Sequence, residues 1–327
     1  MPKLKFNAWL VHWSESSLPS FEVNAHLMAR VYPCWYLCSP AGMPLRRADA
    51  TPALRQRVKD AAAANGVEVW PLISNYNAAV KDFDPALMRL IMGDPATSQA
   101  HIARLIDYVR EDGAQGIDLD YENLYDADRD AFGDFVERLA AAFHGAGLKV
   151  GIAVHAKESE PGSPGGGRAQ DYARLGRACD RVQIMGYDYH WSLGEPGPIA
   201  PPDWCGRVLA HAAGEIGSVD KVEWGVPGYG LDWGAPGTQA LAVQWPRWVE
   251  LVKAHGPERR DPETAELTLH YQGRELWMND SLSLTAKLWQ ARHAGVAEVA
   301  MWVLGAEDPR LWALIETLPE DFLGEEA

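Results

Sequence analysis

Cysteine is scarce, with only Cys34, Cys38, Cys179 and Cys205 in 327 residues, and none forms a CxxC pair. That excludes a disulfide scaffold and a paired-cysteine metal site, and leaves the four as small core residues. No HExxH pattern occurs, and no apolar run is long enough to span a bilayer. Basic residues are outnumbered, 30 Lys and Arg against 45 Asp and Glu, for a formal charge of -15. They gather into no run, so neither nucleic acid nor a membrane is expected as a partner. The opening MPKLKFNAWLVHWSESS has too short an apolar stretch for a secretory leader, and a cytoplasmic location is expected.

What is present is a rhythm of a short apolar run, a turn and an amphipathic helix. Such alternation gives parallel strands joined by crossover helices. Eight strands are predicted, near Phe6 to Trp13, Arg30 to Leu37, Val67 to Ser74, Gly116 to Glu122, Lys149 to Ala156, Arg181 to Tyr187, Lys221 to Pro227 and Val296 to Leu304. The fold class expected is α/β, a (β/α)₈ barrel, with residues 1–327 as a single catalytic domain. Helix signals support it, as with Thr51 as cap, Pro52 in the first turn and Gly66 after the last. Two stretches break the rhythm. EPGSPGGGR, Glu160 to Arg168, reads as a flexible loop after strand five. Residues 231–280, Trp-rich and carrying a hairpin-like LTLHYQGRELWM, read as a small insertion after strand seven, over the barrel mouth.

The most informative stretch is GIDLDYE, Gly116 to Glu122. Alternation sends Ile117, Leu119 and Tyr121 to one side and Asp118, Asp120 and Glu122 to the other. Both faces of a barrel strand are normally apolar, so three stacked acids are tolerated only where they are used. The bland alternatives are a strand with one solvent-facing side, or acids satisfied by buried Arg. A hard-metal site is a further one, but ligand-spaced partners are missing, and neither metal nor cofactor is expected. Glu122, nearest the open end, can share a proton with Asp120 and act as general acid. Both stand on one strand and approach a sugar from the same side, so a nucleophile must come from elsewhere. A 2-acetamido sugar can supply its own carbonyl oxygen.

GIDLDYE resembles the DGxDxDxE signature of glycoside hydrolase family 18, the chitinase family, with Gln115 where the signature has its first Asp. QIMGYDYH, Gln183 to His190, is similar to the family's MxYD element on strand six, and AMWVLG, Ala300 to Gly305, to its strand-eight Trp segment. HWSLGEPGPIAPPDW and KVEWGVPGYGLDW look like the branch of spore-cortex N-acetylglucosaminidases and related peptidoglycan hydrolases.

The resemblance implies a retaining hydrolase of β-linked N-acetylglucosamine polymers, of peptidoglycan or chitin type, working by substrate assistance. Glu122 would be the acid and base, Asp120 would hold the acetamido group, and Asp118 would pair with Asp120. Tyr187 would bind the acetamido carbonyl, Asp188 would contact the sugar, and Trp302 would floor the distorted ring. Trp191 is added as a less firm sugar-stacking residue. His12, His155 and His190 also fall near strand ends and are given no catalytic role. The rival readings are an inactive sugar-binding protein, an endo-β-N-acetylglucosaminidase acting on N-glycans, and a two-carboxylate glycosidase of other sugars.

Overall fold

A computed structural model describes residues 4–317. Eight parallel strand positions close on themselves: Lys5–Leu10, Met28–Cys38, an interrupted third, Gly116–Asp120, Lys149–His155, Arg181–Met185, Val222–Pro227 and Glu298–Trp302. Each pairs with its chain neighbours, and the first also pairs with the eighth, Phe6 opposite Val299. The protein is therefore a (β/α)₈ barrel with helices around it, as the alternation predicts.

The third strand comes in two pieces, Glu68–Val69 and Leu72–Ser74. Pro71, which has no N–H to give, sits at the break, yet its carbonyl still accepts from Asp118 N at 3.0 Å. Helix Pro52–Asn65 starts where Thr51 accepts from Leu54 N and stops at Gly66, whose φ of 70° suits a residue without a Cβ.

The outward residues of the fourth strand, Ile117 and Leu119, are wholly buried with Phe132, Phe135, Val136 and Leu139 of helix Arg129–Gly145. Inside the barrel, Trp9, Tyr32, Cys34, Trp70 and Leu72 form a separate cluster. All four cysteines are free and buried.

Below that cluster the interior is ionic. Glu298 meets Arg181 at 2.8 Å, Arg30 at 3.1 Å and Lys5 at 3.4 Å. Glu223, fully buried, accepts from Asn7 Nδ2 at 2.7 Å and from the Tyr32 hydroxyl. Arg30 is 3.6 Å from Glu223 and lies over the Trp70 ring at 4.2 Å. These charges are paired, as buried charges must be.

After the seventh strand the chain leaves the barrel for a five-stranded antiparallel sheet, in the order Leu241–Val243, Gly230–Trp233, Arg274–Met278, Leu267–Tyr271, Arg259–Arg260. Helix Trp245–His255 covers it through Trp248 and Leu251. The hairpin read from LTLHYQGRELWM is its centre, with Leu267 opposite Met278. Tyr229, Leu231 and Trp233 pack against Tyr187, Trp302 and Val303, so this sheet walls one side of the barrel mouth.

Candidate active site

The fourth strand ends at Asp120, two residues short of Glu122. No ladder therefore places the acid, and a side chain does so instead. Asn75, fully buried just past the third strand, accepts from Glu122 N and donates to Glu122 O, both at 2.9 Å. It mimics the edge of a neighbouring strand, and its amide also donates to Asp84 O at 3.2 Å.

The three acids stack on the inner side of the strand. Asp118 is at the bottom, with no exposed surface. Its Oδ2 accepts from Trp9 Nε1 at 2.9 Å and its Oδ1 from Gln183 Nε2 at 2.8 Å. Burial pushes its carboxyl well above the usual carboxylate range, and Asp120 and Glu223 push the same way against those two hydrogen bonds. The Gln183 contact needs Gly151: a Cβ there would lie 2.9 Å from Gln183 Nε2 and 3.3 Å from Asp118 Oδ1.

Asp120 and Glu122 interact directly with each other, while Trp9 and Gln183 occupy Asp118. Desolvation raises both carboxyls. Asp120 is further raised by the charge of Glu122. Glu122 is pushed up to about 7; the Asp120 hydrogen bond opposes this, and Asp188 and Asp82 reinforce it. Repulsion between the two adjacent carboxylates favours keeping a proton on the pair.

Tyr187 stands two residues past the sixth strand, its ring 6.2 Å from that of Tyr229. Burial, with the charges of Glu122, Asp188, Asp120 and Asp118, holds its phenol far above the ordinary value, so it remains a hydrogen-bond donor. Asp188, with a φ of 62°, accepts from the Tyr229 hydroxyl. Trp302 ends the eighth strand, 6.1 Å from the Trp9 ring.

A cleft of about 430 Å³ opens beside this stack, lined by Asp120, Trp302, Trp13, Tyr36, Ser74, Tyr76, Phe83 and Arg47 among others. Tyr76 and Phe83 come from a small hairpin, Tyr76–Asn77 with Asp82–Phe83, that Asn75 ties to Glu122. Trp13, 55 % exposed, lies over the Arg47 guanidinium, which Asp49 holds at 2.8 Å. Trp191, 51 % exposed, lies in the loop after strand six and does not line this cleft. Among the described residues no group of three or more His, Cys, Asp or Glu is arranged to hold a metal ion. No helix of the described residues is long and apolar enough to cross a membrane.

Sequence reasoning left out Asn75, Trp9, Gln183, Trp13 and Tyr229. Gln183 and Tyr229 stood within quoted motifs, and Trp13 closed the first predicted strand; Asn75 and Trp9 gave no local signal. Gln115, the departure from the signature, accepts from Val69 N at 2.9 Å and so ties the third strand to the fourth below the acids.

A closed parallel barrel with carboxyls stacked at the mouth of its fourth strand defines a barrel glycoside hydrolase. The sequence matches the family described as Glycosyl hydrolases family 18 over residues 47–307, and the chain belongs to that family. It is 27% identical over 256 residues to the uncharacterized glycosylase YvbX of Bacillus subtilis, covering 76% of this chain and 74% of that one. It is 26% identical over 280 residues to the cortical fragment-lytic enzyme of Bacillus subtilis, covering 78% of this chain and 65% of that protein's length. Among solved structures it is similar to the spore cortex-lytic enzyme SleL of Bacillus cereus, with a TM-score of 0.86 at 22% identity over 98% of this chain and 75% of that one. A class V chitinase from Pseudomonas fluorescens Pf-5 gives a TM-score of 0.86 at 25% identity, over 96% of this chain and 99% of that one.

Proposed function

We propose that the chain hydrolyses β-linked N-acetylglucosamine polymers with retention, using the substrate's own acetamido group as nucleophile. The observation that carries this reading is the direct pairing of Asp120, the last residue of the fourth strand, with Glu122 two residues further along the chain. A retaining mechanism needs attack from the face opposite the acid, and Asp120 is on the same face. It is placed to steer a nucleophile rather than to be one.

Glu122 gives its proton to the glycosidic oxygen as the acetamido carbonyl oxygen bonds to the anomeric carbon and the glycosidic bond breaks. Asp120 accepts from the acetamido N–H and balances the oxazolinium charge, while the Tyr187 hydroxyl orients the carbonyl. Glu122, now a carboxylate, takes a proton from water, which opens the oxazolinium ring and restores the β configuration. Trp302 offers a flat apolar floor for the ring. Peptidoglycan is favoured over chitin by the relatives named cortical fragment-lytic enzyme.

Release of reducing ends from chitin oligomers and from purified peptidoglycan tests the proposal. Glu122→Gln should cut turnover by about 10²–10⁴-fold. Binding without turnover in the wild type would make the chain a sugar-binding protein, and comparable cleavage of a glucose-only analogue would refute substrate assistance.

A further inference from the structure

The fifth strand brings to the acid a group that the mechanism above does not use. His155, the last residue of Lys149–His155, has Nε2 at 3.6 Å from Glu122 Oε2. Its other ring nitrogen, Nδ1, is 3.2 Å from Gln170 Oε1. That amide has a fixed orientation. Its Oε1 accepts the His155 backbone N–H at 2.8 Å, its Nε2 donates to the Tyr121 carbonyl at 3.3 Å, and the residue is wholly buried. An amide oxygen can only accept, so Nδ1 carries the ring hydrogen. The lone pair of Nε2 is then left facing Glu122.

The charged groups around the imidazole oppose one another. Asp188, from the loop after strand six, favours protonation, and Lys157, two residues along the chain, disfavours it. Desolvation, acting in the same direction as Lys157, outweighs the Gln170 hydrogen bond and Asp188 and holds the ring below its usual value, so it is neutral near pH 7. Around Glu122 the remaining titratable neighbours are the acids Asp120, Asp188 and Asp82 and the phenol of Tyr187. Lys157 is turned away to Glu160 and to the Gln170 carbonyl.

A neutral acceptor nitrogen favours Glu122 only while the acid keeps its proton; beside a carboxylate, lone pair would face lone pair. At 3.6 Å the two groups face each other just beyond hydrogen-bond distance. The loop residue Gly166 packs over this contact, for a Cβ there would lie 3.1 Å from His155 Cε1 and from Asn123 N.

We infer that His155 is a positioning residue that offers Glu122 a second hydrogen-bond acceptor, retaining the acid's proton when Asp120 turns to the acetamido group. The inference rests on the acid role proposed above for Glu122. It also gives Gln170 a purpose, because that amide selects the tautomer.

The test reads the two groups directly in the intact protein. Long-range proton–nitrogen spectra, with His155 assigned by loss of its signals in His155→Gln, should show a neutral ring with hydrogen on Nδ1 at pH 7. Carboxyl carbon titration of Glu122 should give a midpoint that falls by about one unit in His155→Phe, the size of one lost hydrogen bond. His155→Gln, whose amide oxygen can accept, should recover part of that fall. On chitin oligomers the alkaline limb of kcat/KM should move down in step, with KM unchanged. Hydrogen on Nε2, a protonated ring at pH 7, or a Glu122 midpoint that stays or rises in His155→Phe would overturn the inference. Should His155→Phe not fold, the wild-type tautomer and the His155→Gln titration still decide it. A wild type without turnover would remove the proposed function, and the spectra and carboxyl titration would still judge His155.

Discussion

Asn75 holds Glu122 by its main chain, taking the N–H and giving to the C=O at 2.9 Å each. Because the fourth strand stops at Asp120, this clamp is what fixes the height and heading of the acid. Asn75→Ala should lower kcat by about 10²-fold with KM changed less than about twofold, since displacement of a reacting group by an ångström costs that much. Steady-state kinetics on a chitin oligomer would check it, and an equal loss in KM would show that Asn75 shapes the cleft instead.

In the proposed mechanism Glu122 enters the reaction protonated, and its carboxyl is pushed up to about 7. Accordingly kcat/KM should fall above that pH, by about tenfold per unit for a single proton. Stability follows with a definite sign. A carboxyl raised from 4.5 in the unfolded chain to about 7 contributes stability fully below 4.5 and loses it as pH climbs through 7. Glu122→Gln should therefore melt above the wild type at pH 8 and show no such gain at pH 4, which thermal unfolding at the two values can read.

Gly151→Ala tests the support under the stack. Its new methyl group would press on Gln183 Nε2 at 2.9 Å and Asp118 Oδ1 at 3.3 Å. The expected cost is about 1–3 kcal/mol of stability from overpacking, with a fall in kcat as Asp118 loses a partner. Urea titration and kinetics on one preparation would separate the two effects; full stability and activity would refute the packing argument.

Glu298 anchors the opposite end of the barrel. Burial alone would raise its carboxyl, but hydrogen bonds and charge from Arg181 and Arg30 hold it down to about 2. This contribution is present above the ordinary value of 4.5 and lost as pH falls through 2. Glu298→Gln should cost about 1.5–3 kcal/mol at pH 7, because Arg181 and Arg30 lose a charged hydrogen-bond acceptor while Arg30 keeps Glu68 and Glu223. The difference from wild type should shrink in acid, as chemical denaturation at pH 7 and pH 3 would reveal.

Much of the fold is legible in the sequence itself. Strand positions followed from apolar runs because barrel strands are buried on both faces, and GIDLDYE announced itself because acids broke that rule. What resisted was whatever depends on contacts across the barrel. Asn75 lies 47 residues from Glu122, and Trp9 lies 109 from Asp118. Neither spacing has a periodicity to detect. Glu223 and Glu298 each stand alone on an apolar strand, where a lone acid reads as a strand end; only Arg30, from another strand, explains both. Strand ends were drawn two residues too long at Glu122 and Tyr187, since side chains past a ladder keep its alternation without its hydrogen bonds.

Closure joins Lys5–Leu10 to Glu298–Trp302, segments made at opposite times during synthesis. Until the latter emerges from the ribosome, the growing chain is an open sheet whose two edges have no neighbour. Trp302 arrives on that last strand and Trp9 waits on the first, so the cleft acquires its floor at the moment the cylinder shuts. A chain cut short before residue 298 would be left with sticky edges and no place to seat a sugar.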